Sequence, residues 1–118
     1  MFDEVLRDTL DRIEGARCVL LAGVDGMIVA AAVSEGGPAP DAVAASLVDL
    51  FRKASVAHRD AGLTPPAEFT SGGAKEQAAL RQVTDEYVLV AVLDGVQGLG
   101  RARFELRKAA ATIHPELV

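Results

Sequence analysis

The chain has 118 residues, half of them hydrophobic and a quarter charged, with a single cysteine and a formal net charge of −5 at pH 7. A chain of this length can bury a core without disulfides or a metal, and one cysteine excludes an intrachain disulfide framework, which suits a reducing cytoplasm. The acidic balance excludes a nucleic-acid surface built on clustered Lys and Arg, and no apolar run approaches the ~20 residues needed for direct membrane insertion.

Phe2, Val5, Leu6, Leu10 and Ile13 recur at helical spacing and Gly15 supplies a stop, which predicts a first helix of about three turns. Its acids, Asp3, Glu4, Asp8, Asp11 and Glu14, fall mostly on the outer side and read as a solvated face. They also stand where a signal peptide needs basic residues. Arg17–Ala22 and Met27–Val33 read as strands joined through Asp25-Gly26, a hairpin signal because glycine tolerates the positive φ of a tight turn. Both are apolar on successive residues, so both faces of each are expected to be covered. Cys18, inside the first, reads as a small buried hydrophobe.

SEGGPAP is a loop, after which Asp41 is expected to cap a long helix, about Ala42 to Ala61, that ends at Gly62. Weaker strands, Ala67–Ser71 and Lys75–Val83, flank a Gly72-Gly73 turn, and Glu86–Leu93 is a strong buried strand. A last helix, about Gln97 to Ile113, carries Leu99, Ala102, Leu106, Ala109, Ala110 and Ile113 on one face. The order α-β-β-α-β-β-β-α predicts an α/β chain of the α+β type. The expected architecture is a single-domain sandwich over residues 1–118, with a five-stranded, mainly antiparallel sheet between helices.

The stretch VLVAVLDGVQGLG, a strand running into glycines before a helix, has the outline of a nucleotide loop. Its spacing, Gly95-x-x-Gly98-x-Gly100, reverses the dinucleotide fingerprint, and no Lys-Ser/Thr follows for a P-loop. A dinucleotide fold also needs more strands after this helix, and the helix is the last element. The loop therefore reads as structural. Gly95 relaxes the turn, and Gly98 and Gly100 let the helix's first turn press on the sheet.

Other chemistry is sparse. His58 and His114 lie on different helices with no Cys or carboxylate cluster to complete a metal site. Asp25 is accounted for by its turn. Arg101 and Arg103 could meet an anionic partner. No catalytic, cofactor-binding or metal-binding residue is assigned, and no cofactor is expected.

On a wheel of ~100° per residue, the middle helix carries one apolar stripe of Val43, Leu47, Leu50, Ala54, Ala57 and Ala61. A second stripe, Ala44, Val48, Phe51, Ser55 and His58, is offset by about 100°. Together they span roughly 180°, more than the ~100° one sheet covers, so the excess must meet something else. A second copy of the helix supplies it.

The element order, Gly15-Ala16, the GVDGMIVA hairpin and the passage Val88–Leu106, which includes GLGRARFEL, resemble the roadblock family. That family includes the dynein light chain roadblock and the bacterial MglB proteins, which regulate small Ras-like GTPases. The resemblance implies a cytoplasmic homodimer whose middle helices pack together and whose third strands pair edge to edge in one continuous sheet. The expected seam is Ala44, Val48, Phe51, Ser55 and His58, with Phe69 of the third strand. It further implies a non-enzymatic partner of a small Ras-like GTPase that modulates its nucleotide cycle. A passive scaffold in a motor or signalling complex is the rival reading. A small-ligand sensor is a third, though the small aliphatic core offers few polar anchors.

Overall fold

The computed structural model describes residues 1–118. Helix α1, Phe2–Arg12, buries Leu6, Thr9 and Leu10 on one side and places Asp3 and Glu4 in its first turn, where the helix dipole favours acids. Gly15 follows with φ +82, and a Cβ there would lie 2.8 Å from the carbonyl oxygen of Asp94. The chain then enters β1, Ala16–Gly23, and returns as β2, Ile28–Val33. At the turn between them Gly26 takes φ +89, and the Asp25 carboxylate accepts a hydrogen bond from the Met27 N–H at 3.0 Å.

The second helix, α2, runs over residues 40–60, with a π-helical turn at Ala44–Val48 inside it. Its N-cap is Ala39 without a side-chain cap, and Pro40 opens the helix. The expected cap, Asp41, instead sits exposed within the first turn, since proline's fixed φ already suits the first helical position. The far end closes as a Schellman motif: Gly62 takes φ +78, its N–H reaches the Arg59 carbonyl at 3.0 Å, and the Leu63 N–H reaches the His58 carbonyl at 2.8 Å. Then come β3, Glu68–Gly72, β4, Glu76–Gln82, β5, Tyr87–Asp94, and α3, Leu99–Leu117. The last helix runs beyond the expected end at Ile113, with Pro115 in its final turn.

The five strands form one sheet in the order β2-β1-β5-β4-β3, and every neighbouring pair is antiparallel. Helices α1 and α3 cover one face and α2 the other. Alternation along the central strands divides the core. Val19, Leu21, Leu89 and Leu93 meet Leu6, Leu106 and Ile113 on the two-helix side. Cys18, Leu20, Val88 and Val90 meet Ala44, Val48 and Phe51 on the α2 side. Burial pushes the Cys18 thiol up to about 11, so it stays protonated and inert. Strand β2 is less covered than its apolar sequence led us to expect, because it is a sheet edge: Val29 is 43% exposed, and Met27 just before the strand is 70% exposed.

Candidate protein-interaction site

The faces of the sheet are unequally served. Five strands at ~4.8 Å spacing make a surface roughly 20 Å wide, while one helix with its side chains covers about 10 Å. The single helix α2 leans toward the β1–β2 hairpin, where Arg52 donates to the Val24 carbonyl at 3.4 Å. Toward β3 and β4 it leaves an open groove of 220 Å3, in which Leu47 faces Ser71, Ala78 and Val92.

The seam expected from the sequence is corrected here for three of its residues. Ala44, Val48 and Phe51 are 0%, 2% and 3% exposed, and all three pack on the chain's own sheet. Phe51 stacks on Phe69 with ring centroids 6.2 Å apart. The Ser55 hydroxyl donates to the Phe51 carbonyl at 3.2 Å, and His58 Nδ1 lies 3.0 Å from the Thr64 carbonyl, tying down the loop after the helix. Ala44, Val48 and Phe51 have little surface left for a partner, whereas Ser55, His58 and Phe69 are half-buried and keep some. The other stripe is the one left over. Leu50 is 39% exposed, Val43, Leu47 and Ala54 are half-buried, and Ala57 and Ala61 are exposed. A wheel fixes the angle between two stripes, not which one meets the sheet. The available signal was size, since Ala54, Ala57 and Ala61 permit the close approach of another helix.

Beside this flank lies β3, which pairs with β4 from Glu68↔Arg81 to Gly72↔Gln77 and has no strand on its other side. Thr70, Ser71 and Gly72 are exposed there, and Phe69 is half-buried. An unpaired edge presents alternate N–H and C=O groups ready to take another strand. Its position is fixed by Glu68, which sequence reasoning missed. The Glu68 carboxylate accepts from Arg81 at 3.1 Å and from Arg103 Nε at 2.8 Å, with Arg107 at 3.9 Å. The hydrogen bond from Arg103 is the main reason its carboxyl is held below the usual carboxylate range. Arg103 is thus committed to β3, and Arg101 to the Arg12 carbonyl at 3.4 Å and the Glu105 carboxylate at 3.1 Å.

The glycine loop has turn geometry. Gly95 takes φ +81, its N–H reaches the Lys75 carbonyl at 2.7 Å, and its carbonyl accepts from the Gln77 side chain at 2.9 Å. A Cβ on Gly98 would lie 2.8 Å from a Leu93 methyl and 3.1 Å from the Glu14 carbonyl. Gly100 has open space around it, so close packing is not its role as we had expected. The hollow beside the loop, 770 Å3, sets Glu14 and Asp94 against Arg12 and Arg101, a mixed lining unsuited to phosphate. Nowhere do three His, Cys, Asp or Glu side chains gather as a metal site. No helix is long and apolar enough to cross a membrane.

No protein-family model matches the sequence, and no curated protein is significantly similar to it. Solved structures do match the fold. Myxococcus xanthus MglB superposes with TM-score 0.86 at 18% identity, over 98% of this chain and 94% of its own. The gliding protein MglB of Thermus thermophilus gives 0.85 at 21% identity, over 97% and 86% of the two chains. A Roadblock/LC7 domain from Streptomyces avermitilis gives 0.78 at 14% identity, over 98% and 96%. The chain has the roadblock fold.

Proposed function

We propose that this chain is a non-enzymatic, homodimeric regulator that binds a small Ras-like GTPase in the bacterial cytoplasm and modulates its nucleotide cycle. The observation that carries the reading is the exposed apolar flank of α2 lying beside the unpaired β3 edge, on a fold shared with MglB. In the dimer the two β3 strands pair and the two α2 flanks meet over the open half of the sheet. The dimer then presents two adjacent helices and their loops as one platform. GTP orders the switch loops of Ras-like proteins, so a platform that touches them meets different surfaces before and after hydrolysis.

Capture of a Ras-like GTPase from the same organism, loaded in turn with GDP and with a non-hydrolysable GTP analogue, tests this. Preferential capture in one state is expected. Equal capture in both, with hydrolysis and exchange unchanged, would leave a passive scaffold. No capture by a folded dimer would contradict both readings.

A further inference from the structure

The sheet has a second edge, and its sequence does little to guard it. Strand β2 lies at the end opposite β3 and reads IVAAAV, with no charged residue and no proline. Edge strands usually carry one or the other, because their unpaired N–H and C=O groups recruit foreign strands. The one irregularity is a bulge at Val29, which the register skips between Leu21↔Ala30 and Ala22↔Ile28. The ladder fixes which groups point outward. The Ser34 N–H reaches the Arg17 carbonyl at 3.0 Å, and the pairs that follow are Cys18↔Val33, Val19↔Ala32 and Leu20↔Ala31. Antiparallel alternation therefore aims the N–H and C=O of Ala31 and Val33 away from β1. Arg7 reaches the Val33 carbonyl only at 3.5 Å, a long contact.

At the hairpin end of this edge lies an open hollow of 270 Å3. Met27, Val29 and half-buried Tyr87 give it an apolar lining, and the exposed carboxylates of Asp25 and Glu86 give it charge. Neither carboxylate forms an ion pair within the chain. Such a lining fits an arginine or lysine, whose stem lies on the apolar side chains while its head meets the acids.

We propose that β2 takes an extended segment of another protein as an added strand, with an arginine or lysine of that segment seated in the hollow. Every pair in this sheet is antiparallel, and β2 begins at the hollow, so the cationic residue stands near the segment's C-terminal end. Main-chain hydrogen bonds to Ala31 and Val33 supply affinity, and the hollow selects the side chain. A second copy of β2 does not fit. Laid antiparallel, it brings its own Glu35 against Asp25 and Glu86, like charge on like. The edge lies across the sheet from the α2/β3 flank, so the inference does not depend on the GTPase reading.

The full chain, titrated with a fluorescent peptide that alternates valine and threonine and ends in an amidated arginine, tests this. Saturable anisotropy is expected, with the Ala31 and Val33 amides slowed in hydrogen exchange. Exchanging the arginine for glutamate, or N-methylating the peptide amides that face β2, should weaken binding by about tenfold or more. Glu86→Lys, at an exposed position, should reverse the preference toward the glutamate peptide. Ala31→Pro removes an outward donor that an edge strand can spare, and should lose both peptides with the circular dichroism unchanged. No saturation up to about 1 mM, equal binding of the arginine and glutamate peptides, or indifference to N-methylation would overturn the proposal. So would a chain mass that rises with concentration and falls on Ala31→Pro but not on Leu50→Asp, which would give the edge to a second copy.

Discussion

One carboxylate on the edge strand answers three arginines, and its chemistry sets an acid limb on stability. Glu68 titrates below its ordinary value in the folded chain, chiefly through Arg103. Because the folded pKa is the lower one, its stabilisation is complete above the unfolded value near ~4.3 and is lost as pH falls through the folded value. We expect Glu68→Gln to melt below wild type at pH 7, with the gap narrowing as the pH falls below about 4, as thermal melts at several pH values will read. A gap that persists unchanged at low pH would mean the ion pairs are not its source. The glycines give a second contrast. Gly98→Ala drives a Cβ to within 2.8 Å of Leu93 and should cost about 1–3 kcal/mol. Gly100→Ala enters open space in the first turn of α3 and should be neutral or stabilise by up to about 1 kcal/mol. Chemical denaturation of both variants separates them. The sequence treated the two glycines alike, because spacing records where a glycine stands and not what a Cβ would meet. Glu68 was invisible for a related reason: its partners come from 13 and 35 residues away along the chain.

At the scale of one element, α2 was legible in length, stop and apolar width. Its start lay two residues early because proline replaced the expected Asp41 cap. Its orientation was not legible, and adjacent residues now carry opposite expectations. Phe51 is 3% exposed in the core, so Phe51→Asp should unfold the chain by burying an unpaired charge, at several kcal/mol. Leu50 is 39% exposed on the free flank, so Leu50→Asp should leave a folded, soluble chain that sediments as the smaller species. Circular dichroism and sedimentation on the pair decide this. A folded Phe51→Asp monomer beside an unaffected Leu50→Asp dimer would restore the seam first expected from the sequence. Strands were read well in the interior and less well at the rim. The apolar runs of β1 and β5 promised two covered faces and have them, whereas β2 has the same composition at an edge, and no local pattern distinguishes the two.

For the whole molecule, the order of elements and the antiparallel sheet between helices were readable, because apolar periodicity, glycine turns and the hairpin all agreed on them. Which faces remain for partners was not, since that depends on how one helix sits on five strands. The open half-sheet beside α2 predicts a wild-type species at least twice the 12.3 kDa chain mass, with the seam variant Leu50→Asp falling by half. The most direct measurement of the regulatory claim is single-turnover phosphate release by a Ras-like GTPase from the same organism, titrated with wild-type chain and with Leu50→Asp. Wild type should change the rate, or the rate of nucleotide exchange, in a saturable way by roughly 5-fold or more, while the seam variant leaves both unchanged. Hydrolysis and exchange that stay the same at saturating, folded, dimeric wild-type chain would contradict it.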